Sequence, residues 1–322
     1  ADDLDLEPDG VSAGAYLQAE WELAERLLIQ PSLRWDMQDY YLDDGSEHQW
    51  SPRLGLAYDL TESSQLRLSV GRFHQPEGVH ELQVIDGVSR FYAPQYADQL
   101  VAGAEWSGGQ LQLTAEVYYK RYRDQKGRYE NVFNPFVLLP EMEPDRVSLS
   151  PSRAEALGAD LDLRGQLGES LEGNLRYSYM DARDRLSGER VDRRWSQQHT
   201  VNAGLAWRRG NFTLSLAAIW HSGWRSTLLP SFVPEDVVIP VETVLNNTEL
   251  RDFFSLDLGA RYAWEFPRAR LEVYADVSNL TDRKNEAGID FDVEEADNGY
   301  ELLPDHETLL GRVPSFGVTL SF

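Results

Sequence analysis

The sequence contains no cysteine, which excludes both a disulfide framework and a thiolate metal site. It also lacks long hydrophobic runs, since 26% of its residues are charged and its mean hydropathy is -0.48. No segment approaches the roughly 18 consecutive apolar residues of a membrane helix. Helical membrane spans are therefore excluded. Membrane strands are not, because alternation of polar and apolar residues dilutes the hydropathy of each strand.

Basic residues are scarce as well. Lys and Arg total 30 against 54 Asp and Glu, which gives a net charge of -24. Nucleic-acid binders need clustered Lys and Arg, so we expect no nucleic-acid partner. The acidity fits solvated acidic loops, and attraction of cationic ligands remains an alternative. The opening ADDLDLEPDG has neither the charged nor the apolar region of a signal peptide. We expect that one was removed or that the chain begins partway through a longer protein.

What the sequence does contain is alternation with a period of two. From Phe254 to Phe266 every second residue is apolar, and the residues between them are small, polar or charged. Because side chains alternate faces along a strand, one face is apolar and the other polar. This pattern is typical of a strand that separates a bilayer from a wet interior. About thirteen segments between Val11 and Phe322 repeat it.

The connections between these segments alternate between short and long. The short ones are rich in Gly, Asn, Ser and Pro, which favour tight turns. The long ones are residues 40–50, 75–96, 123–153, 181–198, 221–251 and 282–312. Outer-membrane barrels have short periplasmic turns and long external loops. We therefore predict an all-β fold, a transmembrane antiparallel β-barrel whose long external loops are these segments.

We call the outward, apolar set of alternating residues the apolar phase and the set between them the polar phase. Each phase predicts one set of side chains. Aromatic residues at the ends of the apolar phase are expected in the interfacial girdles. The predicted girdle comprises Trp21, Trp106, Tyr119, Tyr179, Trp207, Trp220, Phe254, Trp264 and Phe266. Charged residues of the polar phase are expected to face the lumen, where they solvate it or form salt bridges. The predicted lumen-facing set comprises Arg67, Glu116, Asp160, Asp162, Arg164, Arg176, Arg261, Glu272 and Asp276.

Several stretches resemble TonB-dependent outer-membrane receptors. SPRLGLAYDLTESSQLRLSVGRFHQPEG at 51–78 is similar to two middle-barrel strands with their turn, and YADQLVAGAEW and LTAEVYYKRYRD are similar to the next hairpin. LEVYADVSNLTDRKN at 271–285 resembles the penultimate strand of the family. GRVPSFGVTLSF at 311–322 resembles its last strand, with a terminal Phe322 that would serve as the assembly signal.

The resemblance implies a barrel of about 22 strands around a plug. About thirteen strands would form its C-terminal part, and an odd number cannot close an antiparallel barrel in the usual even-numbered way. We therefore expect that about nine strands are missing, together with the plug domain and the TonB-contacting segment.

The function implied by the resemblance is active uptake, energised through the TonB complex, of a scarce ligand such as a ferric siderophore, cobalamin or a glycan. The implied location is the bacterial outer membrane. The implied partners are the TonB complex, the barrel-assembly machinery, outer-membrane lipids and a small-molecule ligand such as a metal chelate. We expect no cofactor and no enzymatic activity.

Candidate ligand-binding residues lie where predicted strands reach the outer rim. They are His74, Gln75, Arg121, Tyr122, Arg123, His221 and Trp224. A cation beside aromatic rings can grip an anionic chelate or stack on a sugar. Ordinary interfacial roles for the same residues remain open.

Sequence offers little support for a metal site. Asp290, Asp292, Glu294, Glu295 and Asp297 carry oxygen ligands suited to calcium, but their spacing does not match an EF-hand and a solvated loop is the alternative. The six histidines show no metal-ligand spacing. The remaining alternatives are a passive porin without a plug, a nonfunctional remnant, a barrel enzyme with rim groups not adjacent in sequence, and a soluble β protein.

Overall fold

The computed structural model describes residues 10–42, 45–133 and 137–322. Residues 1–9 and parts of two predicted loops, at 43–44 and 134–136, lie outside the described residues. Thirteen long strands form the main sheet within that range. They are β1 Ser12–Gln18, β2 Leu27–Leu42, β3 Gly45–Thr61, β4 Ser64–Gln75, β5 Gln95–Gly108, β6 Leu111–Arg123, β7 Arg153–Gln166, β8 Leu171–Leu186, β9 His199–Arg209, β10 Phe212–His221, β11 Phe253–Phe266, β12 Ala269–Ser278 and β13 Val313–Ser321.

The other elements are short or belong to the connections. Two short strands extend the main sheet, namely Trp21–Leu23 beside β2 and Glu189–Asp192 beside β8. Small sheets form in the connections from Arg128–Asn131, Arg146–Leu149, Arg225–Ser226, Phe232–Pro234, Thr248–Glu249, Glu286–Ala296 and Gly299–Thr308. The helical pieces are Val79–Glu81, Val84–Asp86, Pro140–Met142 and Val241–Val244. No helix in the described ranges is both long enough and apolar enough to cross a membrane.

The main sheet is an antiparallel meander in which each strand pairs with the next in sequence. The prediction of about thirteen strands and of an all-β antiparallel architecture is confirmed. Across the described residues β1 and β13 do not pair with each other, so the sheet is open at both edges. Short turns explain many of these pairs, because antiparallel neighbours can be joined by very few residues; the long connections, such as residues 124–152 between β6 and β7, also link neighbouring strands.

Cross-strand register keeps the two phases of the alternation apart. Ala115 pairs with Leu161, which pairs with Tyr177, so apolar side chains meet apolar side chains. One residue further along, Glu116 pairs with Asp160, which pairs with Ser178. A register slip of one residue would exchange the faces, so the pattern specifies the pairing strongly.

The apolar face is exposed over most of the sheet. Leu17 is 75% exposed, Val318 is 67% exposed and Phe316 is 89% exposed. Exposed apolar patches of this extent mark a surface that apolar surroundings cover. A lipid bilayer supplies such surroundings, in agreement with the alternation read from the sequence.

A small hydrophobic core lies at the long-loop end of the sheet. It consists of Val132, Leu149, Leu186, Val191 and Leu245, all at most 7% exposed. Leu186 and Val191 come from β8 and its neighbouring strand, Val132 and Leu149 come from the connection between β6 and β7, and Leu245 comes from the connection between β10 and β11. This core holds the connections against the polar-phase side of the strand ends. Alternation places the apolar-phase residues of the same strand ends on the opposite, outward side.

Three of the predicted loops contain more strand than expected. Within 40–50 the described residues belong to β2 and β3, and β8 continues through residues 181–186. Residues 286–308 form a hairpin with nine Asp and Glu and no Lys or Arg. Strand segments beyond a bilayer need no apolar face, so they lack the alternation by which strands are recognised. The external position of all six segments stays a prediction.

Candidate functional site

A concavity of about 590 Å³ lies where β4, β5 and β6 meet the long connections. Its lining is mostly polar and aromatic. It includes Phe73, His74, Gln75, Gln95, Tyr96, Gln99, Tyr122, Gln125, Lys126, Arg128 and Arg193. We call this the mouth concavity. Four glutamines contribute amide donors and acceptors, which suit a ligand rich in polar oxygen or nitrogen atoms.

Strand pairing brings the amides together. Gln75 ends β4 and pairs with Gln95 at the start of β5. The Nε2 of Gln125 donates to Oε1 of Gln95 at 3.4 Å. Gln125 in turn accepts a hydrogen bond of 2.9 Å from Arg193 Nη2 through its Oε1. The concavity is therefore tied together by hydrogen bonds between two strand ends and two connections.

The cations of the mouth concavity are held by buried carboxylates. Arg128 Nη2 donates to Asp184 at 2.6 Å, and Arg193 Nη2 lies 2.8 Å from the same carboxylate. Asp184 is only 3% exposed. Lys126 Nζ lies 3.3 Å from Glu77, and the Arg193 guanidinium lies 5.8 Å from the ring centre of Tyr122. Charge pairing leaves a nearly neutral lining that offers donors to a ligand without a large excess of positive charge.

Burial and ion pairing have opposite effects on the pKa values of the arginines near the mouth concavity. Burial lowers the pKa of Arg128, but Glu130 and Asp184 outweigh it and raise that pKa above its ordinary value. Burial also lowers the pKa of Arg194, which donates through Nη2 to the carbonyls of Asn131 and Val132 at 2.6 Å each. Both guanidiniums remain charged at neutral pH, since arginine titrates far above it. They fasten the connection around 131–132 to the segment that carries Arg193.

The candidate rim residues do not all converge. His74, Gln75 and Tyr122 line the mouth concavity. The His74 ring lies 5.3 Å from that of Tyr96, and its Nδ1 lies 2.9 Å from Ser51 Oγ. These contacts hold the imidazole at one edge of the concavity.

The other four candidates lie elsewhere. Arg121 and Arg123 share the phase of Val117 and Tyr119, on the opposite face of β6 from Tyr122. His221 lies in a separate aromatic stack, 4.7 Å from Phe253 and 5.2 Å from Trp224 between ring centres. His221 is 7% exposed, so it packs within the structure instead of lining an open surface.

The residues predicted to face the lumen share one face of the sheet, and several are paired. Asp162 accepts from Arg176 at 2.8 Å and from Arg164 at 3.0 Å, Asp160 accepts from Ser178, and Arg261 lies 3.4 Å from Glu272. Arg67 lies 2.7 Å from Glu105 at the short-turn end, where a second cavity of about 630 Å³ opens. Glu116 and Asp276 lie in the same phase. Their exposure to a lumen stays a prediction.

The girdle and assembly residues lie in the apolar phase or at the chain end. Trp21, Trp106, Trp207, Trp264 and Phe266 are 37–57% exposed near short turns. Tyr179, Trp220 and Phe254 lie toward the other ends of their strands, with Trp220 opposite Phe254. Phe322 follows β13 and is 99% exposed. Contact with lipid or with the assembly machinery stays a prediction for all of them.

Sequence reasoning missed Gln95, Gln125, Lys126, Arg128 and Arg193 in the mouth concavity. Only the basic run at 120–128 marked part of it in the sequence. Arg193 lies 68 residues from Gln125, and no spacing rule relates them. No group of three or more His, Asp or Glu side chains suited to a metal ion occurs among residues 10–42, 45–133 and 137–322.

Comparison with known proteins agrees with this architecture. Residues 5–280 match the family model described as TonB dependent receptor-like, beta-barrel. Solved structures with a similar fold include the FrpB iron transporter from Neisseria meningitidis, with 15% identity, a TM-score of 0.65, and coverage of 95% of this chain and 44% of that one.

Two further structures resemble it to a similar degree. They are P. aeruginosa FpvA in complex with pyoverdine and iron (15% identity, TM-score 0.64, 96% and 38% coverage) and the ferric citrate transporter FecA (16%, 0.63, 96% and 45%). The chain thus spans less than half the length of the structures it matches. Proteins of this family are receptors and transporters of the Gram-negative outer membrane, and not enzymes.

The family model covers most of the sequence, and the meander, the two-faced strands and the long connections gathered at one end agree with it. This chain therefore belongs to the β-barrel family of TonB-dependent outer-membrane receptors.

Proposed function

We propose that this chain forms part of the wall and outer mouth of a receptor that takes up a scarce ligand, with TonB supplying the energy. The observation that carries the proposal is the mouth concavity, an amide-rich site at the long-loop end of a sheet that belongs to the TonB-dependent receptor β-barrel family. In this proposal the six long segments are external and catch the ligand. The charged polar phase lines the passage.

The lining favours an oxygen-rich ligand such as a metal chelate. Amides, Tyr122 and paired guanidiniums offer many hydrogen-bond donors in a small volume. FpvA and FecA are described with a pyoverdine–iron complex and as a ferric citrate transporter, which supports a ferric chelate here. His74, Gln75 and Tyr122 are the predicted rim residues that contribute to this site.

The wider machinery belongs to the same proposal. Uptake through TonB requires a plug and a TonB-contacting segment, neither of which we assign to any part of this chain. Phe322 at the end of the last strand would be read by the barrel-assembly machinery. Arg121, Arg123, His221 and Trp224 are left out of ligand contact in this proposal.

Uptake in cells tests the proposal. Iron-limited cells lacking the gene would be complemented with the wild-type receptor or with the double variant Tyr122→Ala/Gln125→Leu, and supplied with a panel of radiolabelled ferric chelates. Each lost hydrogen-bonding group costs about 1 kcal/mol, so we expect half-saturation at a concentration at least about tenfold higher. Uptake should cease in cells without TonB.

The control is Gln110→Leu, an exposed position in the turn between β5 and β6 at the other end of the barrel. It should transport like the wild type. Unchanged uptake by the double variant would remove the mouth concavity from the pathway. Uptake that persists without TonB would favour a passive pore.

A further inference from the structure

Four arginines lie in register on neighbouring strands at the long-loop end of the sheet. Arg123 in β6 pairs with Arg153 in β7, Arg153 pairs with Arg185 in β8, and Arg185 pairs with Arg190 in the strand Glu189–Asp192. We call this row the arginine ladder. Neighbouring strands are about 4.8 Å apart, so the ladder extends over about 14 Å. Like charges directly opposite one another are destabilising, so the arrangement is unfavourable by itself.

The ladder lies on the outward face of the sheet. Ala154, Ala182, Leu186 and Val191 alternate with its members and are at most 8% exposed beneath the connections. Arg123 and Arg190 are exposed, and the Arg153 side chain is 39% exposed. The four guanidiniums are therefore outside the mouth and belong to neither the concavity nor the polar-phase face.

Acidic partners are too few to neutralise this surface. The row below the ladder alternates in sign, with Asp98, Arg121, Glu155, Arg183 and Asp192 opposite one another in that order. Glu155 lies 3.8 Å from Arg153 and 3.7 Å from Arg121, so two guanidiniums share one carboxylate at long range. Within the described residues, Arg123 and Arg190 make no ion pair within 4 Å. The two rows hold six arginines and three acids, on a chain whose net charge is -24.

Apolar surface begins directly below these two rows. The next row contains the apolar Leu100, Tyr119 and Leu157, followed by Asp181, which lies 2.9 Å from Arg183; Leu157 is 52% exposed. A small cavity of about 190 Å³ joins the two regions. Its lining combines Tyr119 and Leu157 with four arginines and three acids, namely Arg153, Arg183, Arg185, Arg190, Glu155, Asp181 and Asp184. An occupant of this surface needs an anionic head beside an apolar body.

We infer that the arginine ladder binds the phosphorylated headgroup of an anionic outer-leaflet lipid, whose acyl chains lie against Leu157 and the apolar phase beneath it. Guanidinium groups bind phosphate oxygens in bidentate fashion, and several phosphates would relieve the repulsion along the ladder. Arg153 of the ladder lies four residues from Leu157 in β7, which is roughly 13 Å along the strand. The distance along the membrane normal is smaller because the strands tilt. That height suits headgroups, not acyl chains.

Native mass spectrometry of the protein extracted from outer membranes in detergent tests this inference. The probes are bis-phosphorylated lipid A, the same lipid without phosphates, and inorganic phosphate. We expect the phosphorylated lipid to bind at least tenfold more tightly than the dephosphorylated one. Millimolar inorganic phosphate should not displace it, because phosphate lacks the apolar body.

The test variant is Arg153→Gln/Arg185→Gln, and its control is Arg164→Gln/Arg176→Gln, in the same two strands on the opposite face. The test variant should bind phosphorylated lipid at least tenfold more weakly, and the control should stay within twofold of the wild type. Without lipid, the test variant should melt at a higher temperature than the wild type, because the repulsion is relieved.

Three results would overturn the inference. Equal binding of the two lipid forms by the wild-type protein would do so without any variant, even if the variants failed to fold. Full displacement by inorganic phosphate would indicate a free-anion site. Equal losses in the ladder variant and the opposite-face control would show a nonspecific effect of charge. Uptake of a ferric chelate is not involved, so this test and that of the proposed function succeed or fail separately.

Discussion

The two ends of the same strands are stabilised in different ways. Toward the short turns, large apolar side chains such as Leu17 and Val318 remain 75% and 67% exposed. Toward the long connections, Ala154 and Asp184 are only 2% and 3% exposed, because the connections fold down on them. The wall thus leaves its apolar side chains exposed, as expected of a surface covered by a bilayer, while the mouth has its own hydrophobic core and buried ion pairs. One regular sheet therefore has exposed apolar side chains at one end and side chains buried by its own connections at the other.

The largest effect is expected from Asp184→Asn in the mouth. The substitution leaves Arg128 and Arg193 without their shared carboxylate, and breaking a buried pair in this way costs about 3–5 kcal/mol. Hydrogen exchange in peptides covering 128–149 and 182–194 should report that loss as a lower opening free energy. Asp181→Asn is the control, in the same strand but on the outward face. Equal effects of the two changes would contradict a self-supporting mouth.

A slightly smaller effect is expected from Leu258→Arg in the wall. Leu258 lies midway along β11 in the apolar phase, and a charge at the bilayer midplane costs about 2–4 kcal/mol. Urea titration in lipid vesicles, followed by the mobility of the folded barrel on gels, measures this cost.

The matched control for Leu258→Arg is Thr114→Arg. Thr114 lies opposite Glu105 and Asp162 on the polar phase. An arginine there should change the free energy of unfolding by no more than about 0.5 kcal/mol. A similar cost at both positions would invalidate the assignment of the two faces.

Acid should detach the acidic hairpin before it affects the wall. Burial raises the pKa of Glu286, but hydrogen bonds from the Arg251 backbone and side chain outweigh it, so the folded pKa lies below the ordinary value. The resulting stabilisation is present above the unfolded pKa of about 4.3 and is lost as the pH falls through the lower folded pKa. Hydrogen exchange at 287–308 should therefore rise, relative to the intrinsic rate, below about pH 4.

Glu286→Gln should weaken this anchor at neutral pH and abolish its pH dependence. The exchange of β9 and β10 serves as the internal reference, because these strands carry no such carboxylate. If protection from hydrogen exchange fell equally in the hairpin and in β9 and β10, the whole sheet would be responding to acid. The Glu286–Arg251 interaction would then not be a local anchor of the hairpin.

The smallest effect is expected from Arg208→Gln at the short-turn end. Arg208 forms a 2.6 Å ion pair with Glu172, yet the two side chains are 57% and 44% exposed. Exposed pairs contribute little because water and salt screen them. The melting temperature should remain within measurement error. A loss as large as that of Asp184→Asn would show that burial does not separate the wall from the mouth.

The wall was predictable from sequence, and the mouth was not. Alternation specifies both the strand and its face, so the strand containing Leu161 and Asp162 and the opposite faces of these two residues followed from local pattern alone. The ladder from Arg123 to Arg190 and the meeting of Gln125 with Arg193 depend on contacts between distant connections. Polar strands beyond the membrane lack a period-two signal, which is why residues 181–186 were expected in a loop.

Grouping residues by sequence proximity also misplaced some of the expected rim residues. Arg121, Tyr122 and Arg123 are adjacent in sequence and were grouped together, but alternation sends Tyr122 to one face and both arginines to the other. His221 was expected at an open rim and instead stacks on Phe253. Sequence proximity identifies a strand end, whereas the function of each side chain there depends on its phase and on which connection covers it.

The acidic hairpin has a consequence for how quickly a ligand arrives. Phe291 of the hairpin packs against Phe133 at 5.0 Å between ring centres, so the hairpin with its nine carboxylates contacts the connection that also carries Gln125 and Arg128 of the mouth concavity. The electric field of these carboxylates extends about 8 Å into the solvent at physiological ionic strength, and added salt shortens that range. Salt therefore weakens the repulsion that a negatively charged chelate meets as it approaches the mouth. The association rate of an anionic ligand should therefore rise with salt, and that of a cationic ligand should fall. The sign of this dependence reports the charge of the ligand before its identity is known.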